Sequence, residues 1–300
     1  MALDSVPAAC AVRIGVAGWD YPDWDGIVYP AGRPGRFDRL RYLARYVQLI
    51  EVNSTFYRPV AAPVAASWVR RTADLEGFRF TAKAHRSWSH DGSPDLDRVV
   101  PETLRGLEPL REAGRLGALL VQFPHAFRCE PTALDRIARL ADRCRGWPVA
   151  VEVRHASWEA DDAERWFRDR EIAWCVIDQP RVDRSSLGLL RRVTAPFAYV
   201  RLHGRNCKAW FDPAAGRDRR YDYRYGARGI GDLAPDVREI ARSARALYAV
   251  QNNHFRGQAL ADSLQMRAAV EGVRPLAPPE LVTAYPDLAD HVTLEQDRLF

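Results

Sequence analysis

The run Val149-Ala150-Val151-Glu152-Val153-Arg154-His155 decides how this chain reads. It opens apolar and ends charged. Side chains alternate across a strand, so Glu152 and Arg154 share a face with Ala150, while Val149, Val151 and Val153 fill the other. The run Tyr199-Val200-Arg201-Leu202-His203 repeats the pattern, with Arg201 and His203 on one face. A charge on a core-facing side is costly unless it lines a polar cavity or meets a partner. Strands that end this way one after another should converge on one place.

Outward from this run, short apolar segments recur at Arg13–Gly18, Gln48–Val52, Phe78–Ala84, Ala118–Phe123, Val149–Arg154, Ala173–Asp178, Phe197–His203 and Leu247–Asn252. Helical spacing fills most gaps, at about Phe37–Tyr46, Val60–Thr72, Leu96–Ala113, Thr132–Cys144, Asp161–Arg170 and Leu233–Arg245. Alternating strand and helix implies a parallel sheet covered by helices. Eight such units in roughly 250 residues have the size of a (β/α)8 TIM barrel. A doubly wound open sheet is the alternative, but no G-x-G-x-x-G follows the first strand. The sequence therefore predicts one α/β barrel domain over 12–271, with a Pro-rich C-terminal extension over 272–300 packing on its surface. The weakest unit is Gln179–Ala195, where a helix would be short and broken by Ser-Ser-Leu-Gly.

Bulk properties narrow the function classes. A hydrophobic content of 47% in 300 residues supports one large core. The net charge of +5 leans weakly toward anionic partners, but basic and acidic residues are interspersed, which excludes a polybasic tail. Lysine occurs only at Lys83 and Lys208, which reads as a compositional preference for Arg. Five cysteines stand far apart without a C-x-x-C pair, so reduced thiols and a cytoplasmic location are expected. Asp4 and Pro7 sit where a leader would be basic and apolar, so no signal peptide is expected. No apolar run approaches the ~20 residues that span a bilayer, and no membrane partner is expected.

Barrel enzymes place their sites at the C-terminal strand ends. Here those ends supply Trp19, Glu51, Asn53, Lys83, Gln122, Glu152, Arg154, Asp178, Arg201, His203 and Asn252. One reading is a self-satisfied ion network in which Glu51, Glu152 and Asp178 neutralise Lys83, Arg154 and Arg201. The other is a binding site, favoured because polar groups are concentrated at one end. A metal is not expected, since Lys83, Arg154 and Arg201 would repel it and no ligand spacing appears. No cofactor is expected either. A phosphate or carboxylate fits the Arg forks better. Trp19, Tyr57 and Trp158 in the following loops could stack on a base or sugar, although each alone also suits a loop anchor. His254 could add a titrating group or simply sit on the rim. The loop after the seventh strand, from Arg205 to Tyr225 and including Trp210-Phe211, is the most basic and Tyr-rich in the chain. It reads equally as a functional loop or a solvated insertion.

These residues resemble the YecE-like family, also known as domain of unknown function 72. The likeness rests on Gly18-Trp19-x-Tyr21-Pro22-x-Trp24, Tyr29-Pro30 and Glu51-Val52-Asn53-Ser54-Thr55-Phe56-Tyr57. It continues through Phe78-x-Phe80-x-x-Lys83, Gln122-Phe123-Pro124, Glu152-x-Arg154-His155-x-Ser157-Trp158, Tyr199-x-Arg201-x-His203-Gly204 and Asn252-Asn253. The chain departs from the family's frequent Phe-Asn-Asn at strand eight, having Gln251-Asn252-Asn253-His254. The resemblance implies a TIM barrel and no particular reaction. Its barrel is similar in shape to xylose-isomerase-like barrels, including metal-dependent apurinic-site nucleases, but that is fold-level analogy. The cations at this mouth argue against their metal chemistry.

Three functions follow as expectations. The first is an enzyme on a phosphorylated sugar or nucleic-acid-like substrate. Its anion would be held by Lys83, Arg154 and Arg201, with Glu152 or Glu51 as general base and His203 as acid. The second is a non-catalytic module binding single-stranded nucleic acid through the basic loop. The third is a glycosidase using Glu51 and Glu152, which Arg pairing of both acids would oppose.

Overall fold

The computed structural model describes residues 10–295 apart from 34, 92–94, 182, 211 and 213–215. The expected Phe211 ring and the last residues of the extension, 296–300, lie outside the described residues. Val149–Glu152 forms strand β5, buried at all four positions. Around it stand β1 (Ala11–Ala17), β2 (Leu49–Val52), β3 (Arg79–Lys83), β4 (Leu116–Gln122), β6 (Ala173–Asp178), β7 (Phe197–Leu202) and β8 (Ala246–Gln251). Each pairs in parallel with its sequence neighbour, and β8 returns to β1 through six residue pairs from Ala11–Ala246 to Val16–Gln251. The result is the closed (β/α)8 barrel that the alternation predicts.

The helices are α1 (Arg39–Leu43), α2 (Ala62–Arg71), α3 (Leu96–Glu112), α4 (Pro131–Arg143), α5 (Asp161–Arg168), two short turns α6 (Cys207–Trp210) and α7 (Arg217–Arg220), then α8 (Gly226–Arg242) and α9 (Gln258–Glu271). In α4, Pro131 opens the first turn and Ala133, Ile137 and Leu140 bury a single stripe. Asp95 caps α3 by accepting from the Arg98 amide. Helix α9 is one that apolar periodicity does not reveal. Every residue from Ala259 to Met266 is buried, so it has no polar face to mark a helical period. Between β6 and β7 no helix forms among the described residues. Thr194 ties that connection down, its hydroxyl accepting from the Trp174 amide and donating to the Ile172 carbonyl.

After α9 the chain adds β9 (Leu276–Ala277), α10 (Pro279–Ala284) and β10 (Thr293–Leu294), with β9 and β10 paired in parallel. Ala277, Leu281, Leu288 and Val292 from this segment join the hydrophobic core. No helix among the described residues is long and apolar enough to cross a membrane.

Candidate functional site

Strand alternation and register bring the charged residues together. Glu51 sits beside Thr81, Glu152 beside Gln122, and Arg201 between Ile177 and Val250. Arg201 donates from Nη2 to Glu51 Oε1 at 2.7 Å and from Nη1 to Glu152 Oε2 at 2.5 Å. Arg154 donates from Nε at 2.7 Å and lies 2.6 Å away through Nη2, both on Glu152 Oε1. His203 Nε2 stands 3.2 Å from the same oxygen. The Tyr199 hydroxyl donates to Glu51 Oε2 at 2.8 Å and lies 2.7 Å from Thr81 Oγ1. All four carboxylate oxygens are therefore engaged. Glu51, Glu152 and His203 are fully buried, and Arg201 nearly so.

These neighbours set the protonation states. Burial alone would raise the Glu152 carboxyl, but Arg201, Arg154 and His203 hold it well below the usual carboxylate range. Burial works against the Arg201 charge too, and Glu152 and Glu51 outweigh it. Burial, with Arg154 and Arg201 nearby, pulls His203 down to about 3 despite Glu152. The imidazole is thus neutral. Asn252 Nδ2 donates to its Nδ1 at 3.0 Å, which leaves the ring proton on Nε2, toward Glu152.

Above this floor lies a cavity of about 290 Å³ at the C-terminal strand ends. Its polar lining is Lys83, Arg201, Arg220, Asn53 and Asn252, and its walls are aromatic: Tyr21, Phe56, Tyr57 and Tyr221, with His254. Lys83 Nζ rests 3.8 Å from the centre of the Phe56 ring. The Lys83 ammonium has no hydrogen-bond or ion-pair partner among the described residues, although the Lys83 carbonyl accepts from the Thr55 hydroxyl at 2.6 Å. Burial first, then Arg201 and Arg154, lower it to about 7 against the pull of Glu152 and Glu51. Arg220 donates from Nη2 to the Asp212 carbonyl at 3.0 Å. Its Nε is buried without an acceptor, and so is Nε of Arg201. A larger cavity of about 610 Å³ opens beside Trp147, Val149 and Ile172, at the N-terminal ends of β5 and β6. Barrel chemistry belongs to the opposite face, so the smaller cavity is the candidate.

The loop after β7 builds one wall of that cavity. Asp178 anchors its base, accepting two-pronged from Arg205 at 2.9–3.1 Å and from the Tyr225 hydroxyl at 2.6 Å. Asn206 holds the far limb through the carbonyls of Arg219 and Asp222. Trp210 packs on His203 and on Tyr221, Tyr221 on His254, and His254 on Tyr21, a continuous aromatic arch. At the other side, Gly18 adopts φ +78°, and an added Cβ would stand 2.6 Å from the Tyr21 hydroxyl.

The strand-end residues thus divide. Glu51, Glu152, His203, Arg154 and Arg201 meet in the floor, and Lys83, Asn53, Asn252 and the 67% exposed Tyr57 reach the cavity. Asp178 instead clamps the loop. Gln122 donates to the Phe123 carbonyl and does not line the cavity. Trp19 packs edge-on against Trp68. Trp158 is fully buried, donating its indole N–H to Phe127 O and stacking on the Phe127 ring. Arg220 and Tyr221 enter the site from a run whose composition alone does not single them out. Among the described residues, no group of three or more His, Cys, Asp or Glu side chains is placed to hold a metal ion.

Comparison with known proteins agrees with this fold. The family described as protein of unknown function DUF72 matches residues 13–283. The UPF0759 protein YunF of Bacillus subtilis (strain 168) is 25% identical over 274 residues, covering 85% of this chain and 93% of YunF. A solved DUF72 family protein from Thermotoga maritima MSB8 superposes with a TM-score of 0.76 at 29% identity, covering 87% of this chain and 99% of that one. Another, from Enterococcus faecalis V583, gives a TM-score of 0.76 at 24% identity, covering 86% and 95%. With nearly all of the barrel matched, the chain belongs to the DUF72 family.

Proposed function

We propose that the barrel mouth binds a small anionic ligand, with a phosphorylated sugar as the fitting class. One observation carries the reading. Lys83 and Arg220 line the cavity without a carboxylate partner among the described residues, and Nε of Arg201 and Arg220 lacks an acceptor. Buried donors of this kind ask for an acceptor, and the ring faces of Tyr21, Phe56 and Tyr221 suit an apolar sugar face. A volume of about 290 Å³ favours a small molecule over a polymer.

The alternatives lose support on specific grounds. Arg205 pairs with Asp178, and Arg224 with Asp262 and Asp287, so much of the basic loop's charge is spent internally rather than offered to nucleic acid. A glycosidase needs a protonated acid beside a carboxylate, whereas Glu51 and Glu152 share the Arg201 guanidinium and Glu152 is held ionised. The same facts make Glu152 a weak base, and neutral His203 a poor acid near pH 7. Glu51, Glu152 and His203 here position Arg201 and Arg154.

Isothermal titration with glycerol phosphate, glycerol and a short single-stranded oligonucleotide tests the reading. Glycerol phosphate should bind, and Arg220→Ala should weaken it by about tenfold, the scale of one charge-assisted contact. Equal affinity for glycerol, or tighter binding of the oligonucleotide, would overturn it.

A further inference from the structure

Of 44 basic residues in this chain only Lys83 and Lys208 are lysine. Arginine supplies the cation nearly everywhere else, including Arg154, Arg201, Arg205 and Arg220 around the mouth. Lys83 is the exception at the centre. The two residue types differ in one relevant way: a guanidinium keeps its proton in proteins, whereas a desolvated ammonium gives it up. If this position served only to hold charge, arginine would meet the need.

The surroundings favour a reactive amine. The Phe56 ring shields one side of Nζ at 3.8 Å, no carboxylate pairs with it among the described residues, and it opens onto the cavity. The carboxylates that could have held it as an ammonium are bound instead by Arg201 and Arg154. A lysine in an apolar setting next to other cations is the arrangement that activates the amine as a nucleophile. We propose that Lys83 forms an imine with the carbonyl carbon of a small phosphorylated aldehyde or ketone, an inference that rests on the anion reading above. Arg220 and the free Nε of Arg201 take the phosphate.

The step balances without a further reagent. Neutral Nζ attacks the carbonyl carbon, forming the C–N bond while the C=O π pair moves to oxygen, which takes a proton as nitrogen loses one. The C–O bond of the carbinolamine then breaks, hydroxide leaves with a proton from solvent as water, and the nitrogen lone pair closes the C=N bond. Amine, carbonyl and one proton give a protonated imine and water.

The full chain incubated with glycolaldehyde phosphate, reduced with borohydride and mapped by peptide mass spectrometry tests this. Exposed Lys208 is the internal reference. At pH 7 the reduced adduct should form at Lys83 at least about tenfold faster than at Lys208. Its rate should rise as pH passes about 7, and glycerol phosphate should suppress it. Lys83→Arg should abolish the adduct at that position. Labelling of Lys83 no faster than of Lys208, in protein that binds glycerol phosphate, overturns the imine and leaves the anion reading standing. Equal labelling by uncharged glycolaldehyde overturns the phosphorylated substrate class. Failure to bind glycerol phosphate, with no suppression of labelling, removes the anion reading and the proposal with it.

Discussion

Arg201 reaches Glu152 at 2.5 Å with both side chains almost wholly buried, and its other terminal nitrogen holds Glu51 from the strand bundle's far side. One guanidinium on β7 thereby ties β2 to β5 across the barrel. Removing it leaves buried Glu51 without a cationic partner and leaves Glu152 to Arg154 and His203. Arg201→Met should cost about 3–5 kcal/mol in urea denaturation. Adding Glu51→Gln and Glu152→Gln to that variant should recover part of the loss. A cost under about 1 kcal/mol, the scale of an exposed pair, would contradict this role.

His203 makes the fold sensitive to mild acid. Its folded value of about 3 lies below the ordinary 6.5. Between the two, the unfolded chain binds a proton that the folded chain does not, so stability falls as pH drops through that window. His203→Gln removes this term. The stability of wild type relative to the variant should therefore decline by about 2 kcal/mol from pH 7.5 to 5. A difference that stays constant over that range would rule out a buried neutral imidazole.

Gly18→Ala tests the backbone beneath Tyr21. The positive φ should cost about 1–2 kcal/mol, and the new methyl must displace the Tyr21 hydroxyl from the Ala17 carbonyl. A lower melting temperature and weaker glycerol phosphate binding are expected together. An unchanged melting temperature would show that the turn relaxes freely.

Asp178→Asn loosens the loop clamp without touching the cavity. Arg205 loses its charge partner, and the loop bearing Arg220 becomes less ordered. Amide exchange should quicken across residues 205–225, and glycerol phosphate should bind about tenfold more weakly, the worth of one charge-assisted bond. Unchanged exchange would mean that Asn206 and Trp210 suffice to hold the loop.

Much of this was legible in the sequence, for identifiable reasons. β6 falls at Ala173–Asp178 as its apolar run predicts, and alternation correctly puts Glu152, Arg154, Arg201 and His203 in one cluster. Partner choice was not legible, because Arg201 and Glu51 lie 150 residues apart and only barrel closure brings them together. Asp178 illustrates a subtler limit. Register pairs it with Leu202 while Ile177 pairs with Arg201, so it belongs to the other face and meets the loop. Helix α9 escaped because it is buried all round. Arg220 escaped because Asn206 and Trp210, rather than local pattern, select which arginine of its run enters the cavity.

The most direct measurement is a crystal structure of the protein soaked with glycerol phosphate. Phosphate density is expected at the mouth, within hydrogen-bond reach of Arg220 Nε and Arg201 Nε, with the Arg201 bridge to Glu51 and Glu152 intact. Phosphate bound elsewhere, or a mouth in which Glu51 or Glu152 leaves Arg201 to contact the ligand, would contradict it.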